Sequence, residues 1–208
     1  MTEHANLGNK SKAQLIELVK KLSAENEILK EVHRHMEITN TRLEKIEREQ
    51  FKQQQYSRRD TVEICGIPST ILQENLEKEV VQIYAKAKVK VHGKPLEEFD
   101  IQACHRIGNK GTTICKFVNR KYARQGLVCG KNLKNVKLYG EASIYINTSF
   151  CREFKYLNFI IRQAKSKGDI FRWKIRNGIN FVQVNDGDDF QEVSHKNDLI
   201  NLNLLEAE

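Results

Sequence analysis

The sequence lacks any long uncharged apolar run. Charged residues interrupt every such run between Lys10 and Lys30, and no later window approaches the ~20 apolar residues that a membrane-spanning helix needs. The start of the chain also lacks the apolar core of a secretory signal peptide. We therefore expect an intracellular protein that does not insert into membranes.

Cysteine spacings typical of metal sites are also missing. The five cysteines, at positions 65, 104, 115, 129 and 151, include no C-x-x-C pair, and an odd number fits reduced thiols better than a set of disulfides. Cys104, His105 and Cys115 lie close together in sequence, but adjacent residues of a strand point to opposite faces. We predict that the protein binds no metal and no cofactor.

Sequence motifs of catalysis are absent as well. The chain has neither a nucleophile elbow nor a Gly-rich phosphate loop nor a zinc-binding spacing. The acidic tract at residues 185–189, NDGDD, lacks the full ligand series of a calcium loop and its closing Glu, so we expect a solvated turn. We predict a protein that is not an enzyme.

Positive charge, by contrast, is abundant. The 208 residues include 35 Lys and Arg against 27 Asp and Glu, which gives a formal net charge of +8. Such a balance favours polyanionic partners, because cations that neutralise phosphates release condensed counterions. Charge alone fits nucleic acid and an anionic membrane surface equally. The hydrophobic content of 39% with 30% charged residues also predicts that part of the chain is extended.

Apolar residues recur every seven positions near the start of the chain. The repeat continues over about five heptads and is interrupted in its second column only by Glu25 and Thr39. Because the segment is long, charged and free of Gly and Pro, this pattern favours a coiled coil over an amphipathic helix on the chain's own core. Ser11 and Gln14 resemble a capping box, and the helix should end within residues 51–57.

The heptad composition also bears on the number of strands. Leu at the first core position with Ile at the second favours more than two strands. Residues 42–47, RLEKIE, resemble a signature of three-stranded coiled coils in which Arg42 pairs with Glu47 of a neighbouring helix. We predict a homotrimer. The predicted oligomerisation residues are Leu15, Leu18, Leu22, Leu29, Val32, Met36, Arg42, Leu43, Ile46 and Glu47.

The middle of the chain predicts a strand, a helix, two strands, a helix and a strand. The predicted strands are residues 62–67, 99–108, 112–118 and 143–147, with a short NKG turn between the second and third. The residues predicted to face inward are Leu72, Leu76, Val80 or Val81, Ile83 and Tyr84 in the first helix. In the second helix they are Tyr122 and Leu127, with Val128 as a further candidate. The order β-α-β-β-α-β is the split β-α-β arrangement that RNA recognition motifs use.

Aromatic residues are missing from the strand positions where a recognition motif stacks bases. Those positions hold Glu63, Thr112 and Ile114. We therefore expect contacts to the phosphate backbone, which carry little sequence information. Lys116 should lie on the open sheet face or its rim, and Arg106 near the end of the neighbouring strand.

The last part of the chain predicts a helix, a hairpin and a short closing helix. The first helix should end at Gly168 and bury Phe154, Leu157, Ile160 or Ile161, and Ala164. Asn177 and Gly178 separate two apolar runs, which is a strong hairpin signal. Trp173 is interpreted as a core residue in preference to a base-stacking platform. Residues 196–208 should form the closing helix.

These elements together predict an α+β protein with four parts. They are a coiled coil at residues 11–55, a basic hinge at 56–61, an RRM-like split β-α-β domain at 62–147, and a small basic α/β C-terminal domain with a β-hairpin at 148–208. In this order the chain resembles the first open-reading-frame proteins of LINE retrotransposons. The motifs that carry the resemblance are IxGIP at 64–68, CHRIG at 104–108, ICKFVNRK at 114–121, IYIN at 144–147 and W-x-x-x-NG at 173–178.

The resemblance implies a trimeric chaperone that binds single-stranded RNA, with single-stranded DNA as a further ligand. It also implies that the protein coats its own element's RNA into a ribonucleoprotein. The expected location is the cytoplasm, with the nucleus as a second one. By motif position, the backbone-binding role falls on Arg106, Lys116, Arg120 and Lys155. Charge and position add further cations. The full predicted nucleic-acid-binding set is Arg58, Arg59, Arg106, Lys116, Arg120, Lys121, Arg124, Lys155, Arg162 and Lys165.

A second resemblance leaves an alternative open. The C-terminal part is also similar to the baculovirus few-polyhedra protein, which has a coiled-coil front. That similarity implies an interaction protein acting in virion assembly and envelope-protein trafficking. Both families share the expected fold, so the fold does not discriminate between them.

Overall fold

The computed structural model describes residues 11–108, 112–140 and 142–206, and the predicted NKG turn lies outside them. The fold is mixed α and β, with a long N-terminal helix and two antiparallel sheets. The helices are α1 (Lys12–Tyr56), α2 (Leu76–Lys86), α3 (Arg120–Cys129), α4 (Arg152–Lys167) and α5 (Lys196–Asn201). The strands are β1 (Thr61–Cys65), β2 (Ile101–Ile107), β3 (Thr112–Phe117), β4 (Tyr145–Thr148), β5 (Arg172–Arg176), β6 (Ile179–Gln183) and β7 (Gln191–Val193).

The long helix α1 begins and ends where the sequence predicts. The backbone N–H of Ser11 donates to Gln14 Oε1 at 2.9 Å, and the N–H of Gln14 donates to Ser11 Oγ at 3.4 Å. This capping box satisfies N–H groups that a helix start leaves without partners. The apolar heptad residues are exposed in the single chain, Leu29 by 65%, except Leu18, which is half-buried. No helix of the described residues is both long enough and apolar enough to cross a bilayer.

The chain divides into two compact units, the first ending at Glu47 and the second beginning at Arg48. Within the second unit, the strand order of the larger sheet is β2-β3-β1-β4. β1 is antiparallel to both β3 and β4, and β3 is antiparallel to β2. The two strands joined by α2 are therefore parallel with β3 between them, and the two joined by α3 are parallel with β1 between them. The sheet consists of two interleaved β-α-β units.

One face of this sheet is covered by α2 and α3. Its inward residues are fully buried at the centre of the core, because strand alternation brings every second side chain to that face. This core includes Val62, Ile64, Cys115 and Phe117 from the strands, with Val80, Ile83, Tyr84, Tyr122 and Ala123 from the helices. We call the opposite face, which carries Glu63 and Lys116, the open face.

Two predictions about the helix faces are wrong. Leu72 is 62% exposed because it precedes α2, which begins only at Leu76. In α3, Leu127 and Val128 are exposed, whereas Gly126 faces inward. A Cβ at Gly126 would overlap the Tyr84 hydroxyl. The helix therefore approaches the core through its glycine, and its two most apolar residues turn outward.

The smaller sheet has the order β5-β6-β7, and α4 packs against it. Of the two predicted alternatives for the buried face of α4, Ile160 and Ile161, the structure buries Ile161. The helix ends with Gly168 in the left-handed conformation, at φ 89°. Asn177 and Gly178, at φ 54° and 79°, form the predicted hairpin turn, in which both positions need positive φ.

Two features of the C-terminal part differ from the prediction. Residues 191–193 add a third strand, β7, beside β6. The closing helix α5 is shorter than predicted and ends at Asn201. Asn203 adopts a left-handed conformation with φ 54°, which cannot continue a helix.

The last turns of α1 pack on this C-terminal part. Arg48 Nη1 lies 2.7 Å from Asp198 Oδ1, and Lys52 Nζ lies 2.6 Å from Glu192 Oε1. The Arg48 pair is mostly shielded from solvent, with the two side chains 26% and 17% exposed. The pair therefore joins the last turns of α1 to α5 with less screening by solvent than an exposed ion pair has.

Gln55 is the one residue of α1 that is fully buried. Its Nε2 donates to the carbonyl of Ser149 at 3.0 Å, and its Oε1 accepts from the N–H of Cys151 at 3.0 Å. The same side chain occupies the space where a Cβ of Gly178 would stand. One amide group thus links the end of α1, the segment between β4 and α4, and the hairpin turn.

Candidate nucleic-acid interface

The open face carries the three strand residues that the sequence placed there. The register sets Glu63 opposite Ile114 in the neighbouring strand, and Thr112 lies two positions earlier on the same face. All three are half-buried. Because none of them is aromatic, the central strands provide no base-stacking platform.

A tyrosine that the sequence reasoning missed lies on the same face. Tyr145 is directly opposite Cys65 and is 56% exposed, whereas its neighbours Ile144 and Ile146 point into the core. The alternation in IYIN carries this signal, because two inward isoleucines require an outward tyrosine. The edge strand β4 therefore provides the exposed ring that the central strands lack.

An ion pair joins the open face to the start of α4. Lys155 Nζ lies 3.2 Å from Glu63 Oε2, and the Glu63 side chain is only 12% exposed. Asn147 of β4 pairs with Glu63 of β1. Tyr145 lies two residues before Asn147 on the same strand and pairs with Cys65. The first turns of α4 thus adjoin the part of the open face where Tyr145 is exposed.

Aromatic rings and cations share the outward side of α4. The buried stripe of the helix leaves Tyr156 and Phe159 outside, with 49% and 55% of each residue exposed. Three exposed cations lie among them. We call Arg152, Lys155, Tyr156, Phe159 and Arg162 the α4 surface. Tyr156 and Phe159 were missed by the sequence reasoning, although their positions off the apolar stripe could have revealed them.

Trp173 lies beside this surface. The ring is partly buried and packs against the core formed by α4 and the smaller sheet. The Arg162 guanidinium stands 5.5 Å from the ring centroid, within the range of a cation–π contact. The preferred interpretation of Trp173 as a packed residue agrees with this environment.

Arg106 has an intramolecular role in this structure. It pairs with the buried Thr113, so its side chain starts on the helix-covered side of the sheet. Its guanidinium donates to the backbone carbonyls of Ile67, Pro68 and Ile71, at 2.5 to 3.1 Å. These bonds hold the loop between β1 and α2 against the end of β2.

Exchanging Arg106 for Gln should therefore act on stability more than on binding. Three carbonyls would lose a charged donor, and we expect the free energy of unfolding to fall by about 2 to 3 kcal/mol, measured by urea denaturation. The affinity of the folded protein for single-stranded RNA and its salt dependence should stay unchanged.

Lys116→Gln provides the matched comparison. Lys116 Nζ is 4.0 Å from Asp60 Oδ2 and its side chain is 40% exposed, so its loss should leave stability within ~0.5 kcal/mol. The slope of log affinity against log salt should instead fall by about 1. The opposite pattern, with a lower slope for the Arg106 variant and no loss of stability, would make Arg106 a phosphate ligand.

The arginines after α1 make local contacts. The Arg59 guanidinium stacks over the Tyr56 ring at 3.8 Å from its centroid, and Arg58 Nη1 lies 3.4 Å from Ser149 Oγ. On α4, Lys165 Nζ donates to the carbonyl of Phe171 at 2.7 Å. Each of these three cations therefore has a partner within the chain, and Lys165 remains exposed.

The predicted cations of α3 lie on the other side of the sheet. Arg120, Lys121 and Arg124 are exposed on the outward side of α3, whose inward side packs on the helix-covered face. Lys116 and Lys155 lie on the opposite, open side. The structure therefore divides the predicted single surface between two sides of one sheet.

Cys104, His105 and Cys115, which lie close together in sequence, are also divided between the two faces of the sheet. Cys104 and Cys115 are direct partners on the buried face, while His105 points to the open face. A hydrogen bond with Cys104, together with burial, raises the pKa of the Cys115 thiol. Among the described residues, no three His, Cys, Asp or Glu side chains form a group suited to a metal ion.

Comparison with known proteins does not place the chain in a family. No protein-family model matches it, and no curated protein matches it. The function is therefore inferred from the residues and geometry of the chain itself.

Proposed function

We propose that this protein is an oligomeric chaperone that binds single-stranded nucleic acid, above all RNA. Its interface is the α4 surface together with the adjoining part of the open face. The observation that carries this proposal is a set of exposed rings: Tyr156 and Phe159, which share one side of α4 with three cations, and Tyr145 on the adjoining open face.

The chemistry of an unpaired strand matches this surface. Each exposed base can stack on an aromatic ring, and the lysines and arginines can neutralise the phosphates between the bases. A duplex hides its base faces and gains only the phosphate contacts. Such a surface therefore prefers single strands and reads little sequence, as a chaperone requires.

The strand order and the motifs support a more specific assignment. Two interleaved β-α-β units with the order β2-β3-β1-β4 are the arrangement expected of an RRM-like domain. Together with the heptads of α1, they favour a retrotransposon-type ribonucleoprotein built by a homotrimer. Several copies around one coiled coil would multiply weak contacts while each contact stays exchangeable.

Removal of one exposed ring tests the interface directly. Phe159→Ala should weaken binding of single-stranded RNA by about 5- to 150-fold, since one stacked base is worth ~1 to 3 kcal/mol. The salt slope should not change, because no cation is lost. Fluorescence anisotropy over a salt titration, with single-stranded RNA, single-stranded DNA and duplex, measures both quantities.

Phe99→Ala is the matched control, because Phe99 is 74% exposed but lies outside the α4 surface, next to β2. The Phe99→Ala variant should bind single-stranded RNA with the affinity of the wild type. Phe159→Tyr, which keeps an aromatic ring, should retain most of the RNA binding. A protein that binds duplex as tightly as single strands, with no effect of Phe159→Ala, would contradict the proposal.

A further inference from the structure

Two stretches of the chain are rich in cations and contain no acidic residue. Residues 85–96 include four lysines, and residues 118–140 include four lysines and two arginines, with no Asp or Glu in either stretch. Six of these cations, all exposed, form what we call the back surface. They are Lys88, Lys90, Lys121, Arg124, Lys131 and Lys134.

Hydrogen bonds bring the two stretches together at both ends of α3. At its C-terminal end, Asn132 Nδ2 donates to the carbonyl of Ala87 at 2.9 Å. At its N-terminal end, the Tyr122 hydroxyl donates to the carbonyl of Pro95 at 3.0 Å. The cations of the two stretches therefore share one side of the molecule.

Residues 87–91 of the first stretch alternate between inward and outward positions. Ala87, Val89 and Val91 are buried in the core, and the lysines between them are exposed. Lys88 has φ 60°, in the left-handed region just after α2. A glycine is the residue that fits this position without strain, and any other side chain costs roughly 1 to 2 kcal/mol. A charge is thus present where conformation alone favours glycine.

The back surface is separate from the α4 surface. The helices α2 and α3 cover the face of the sheet opposite to the open face, which bears Tyr145 and contacts Lys155 of α4 through Glu63. Within the described part of the chain, none of the six cations has a carboxylate within 4.0 Å. Glu97 and Asp100 border one end, where the Glu97 N–H donates to Asp100 Oδ2. Such a cluster repels itself and attracts a polyanion.

We propose that the back surface is a second nucleic-acid site, which binds the phosphate backbone of another strand. The inference rests on the proposed function and extends it, because each chain would then hold two strands on opposite sides of one sheet. The two aromatic residues of the stretches are buried or half-buried, so this site contacts phosphates without stacking bases. A chaperone of this kind brings two strands together within a single chain.

The number of bound strands per chain tests this proposal. The full-length wild type should bind two oligonucleotides of ~8 nucleotides per chain, a length within the footprint of one compact single-strand-binding domain. A back-surface variant, Lys88→Gly with Lys90→Gln, Lys131→Gln and Lys134→Gln, should bind one. Its urea midpoint should not fall, because the four residues are exposed and Lys88→Gly removes strain. Sedimentation with labelled RNA gives the stoichiometry.

The reciprocal variant, Arg152→Gln with Tyr156→Ser and Phe159→Ser, should also bind one oligonucleotide, with a steeper salt dependence. A wild type that binds one per chain, and loses it in this reciprocal variant, would overturn the second site and leave the proposed function intact. A wild type that binds none would overturn both. A back-surface variant that still binds two, but no longer binds phosphatidylserine vesicles, would assign the surface to anionic lipid and overturn the proposal.

Discussion

Exchanging Leu22 and Leu29 for Asn should convert the proposed oligomer to a monomer, and should weaken the proposed binding to long single-stranded RNA by about 10²- to 10⁴-fold. The two leucines are 55% and 65% exposed in the single chain, at equivalent positions of successive heptads. A bundle of helices would bury them, and each buried leucine contributes about 1.5 to 3 kcal/mol in every copy.

The loss of RNA affinity follows from the loss of linked sites. When several copies share one coiled coil, the second and later contacts with a long strand become intramolecular. The overall affinity then exceeds that of one copy by about 10²- to 10⁴-fold. A short oligonucleotide reaches a single copy only, so its affinity should not change. Sedimentation equilibrium gives the mass, and anisotropy with long and short RNA gives both affinities.

Ile16→Asn with Ile38→Asn is the control for this experiment. Both isoleucines are exposed, by 49% and 41%, but they lie outside the two heptad columns. Their exchange should preserve the oligomer and its affinity for long RNA. A leucine variant with the sedimentation mass of the wild type would show that the heptad seam does not join the copies.

Gln55→Leu should lower the free energy of unfolding by about 3 kcal/mol, measured by urea denaturation. The side chain bonds to the carbonyl of Ser149 and the N–H of Cys151, and both of these residues are buried. Leucine has a similar size but leaves both backbone groups without a partner. Each orphaned group costs about 1 to 3 kcal/mol.

Gln54→Leu, at the exposed neighbouring position, should change stability by less than ~0.5 kcal/mol. Equal urea midpoints for the two variants would mean that the Gln55 contacts contribute nothing. A selective loss at Gln55 would establish that the last turn of α1 stabilises the junction between β4 and α4. It would also show that this end of the helix belongs to the folded C-terminal part.

Several elements could be predicted because their signals are local. The Ser11 and Gln14 capping box, the Asn177-Gly178 turn and the glycine end of α4 are each recognised within a few residues of sequence. Periodicity likewise identified the four strands of the larger sheet and the buried stripe of α4, since neighbouring side chains alternate in known ways, whereas β7 was not predicted. The order of elements in the β-α-β-β-α-β part follows from these local patterns.

Other features depend on contacts between distant parts of the chain. Three consecutive glutamines precede Tyr56 at the end of α1, and nothing in their sequence distinguishes Gln55, which the tertiary structure buries. The inward turn of Gly126 depends on Tyr84, and the direction of Arg106 depends on three carbonyls of another loop. These choices required the packed structure, because each is set by a partner more than thirty residues away.

The sequence by itself determined the sign of the charge, the heptad repeat and the local elements, since composition and periodicity are properties of the chain alone. Only the tertiary structure decided where the cations and rings lie. Packing α2 and α3 on one face of the sheet sent the cations of α3 to one side, and Lys116 and Lys155 to the other. A helix-covered sheet has two outer sides, and the fold alone assigns each residue to one of them.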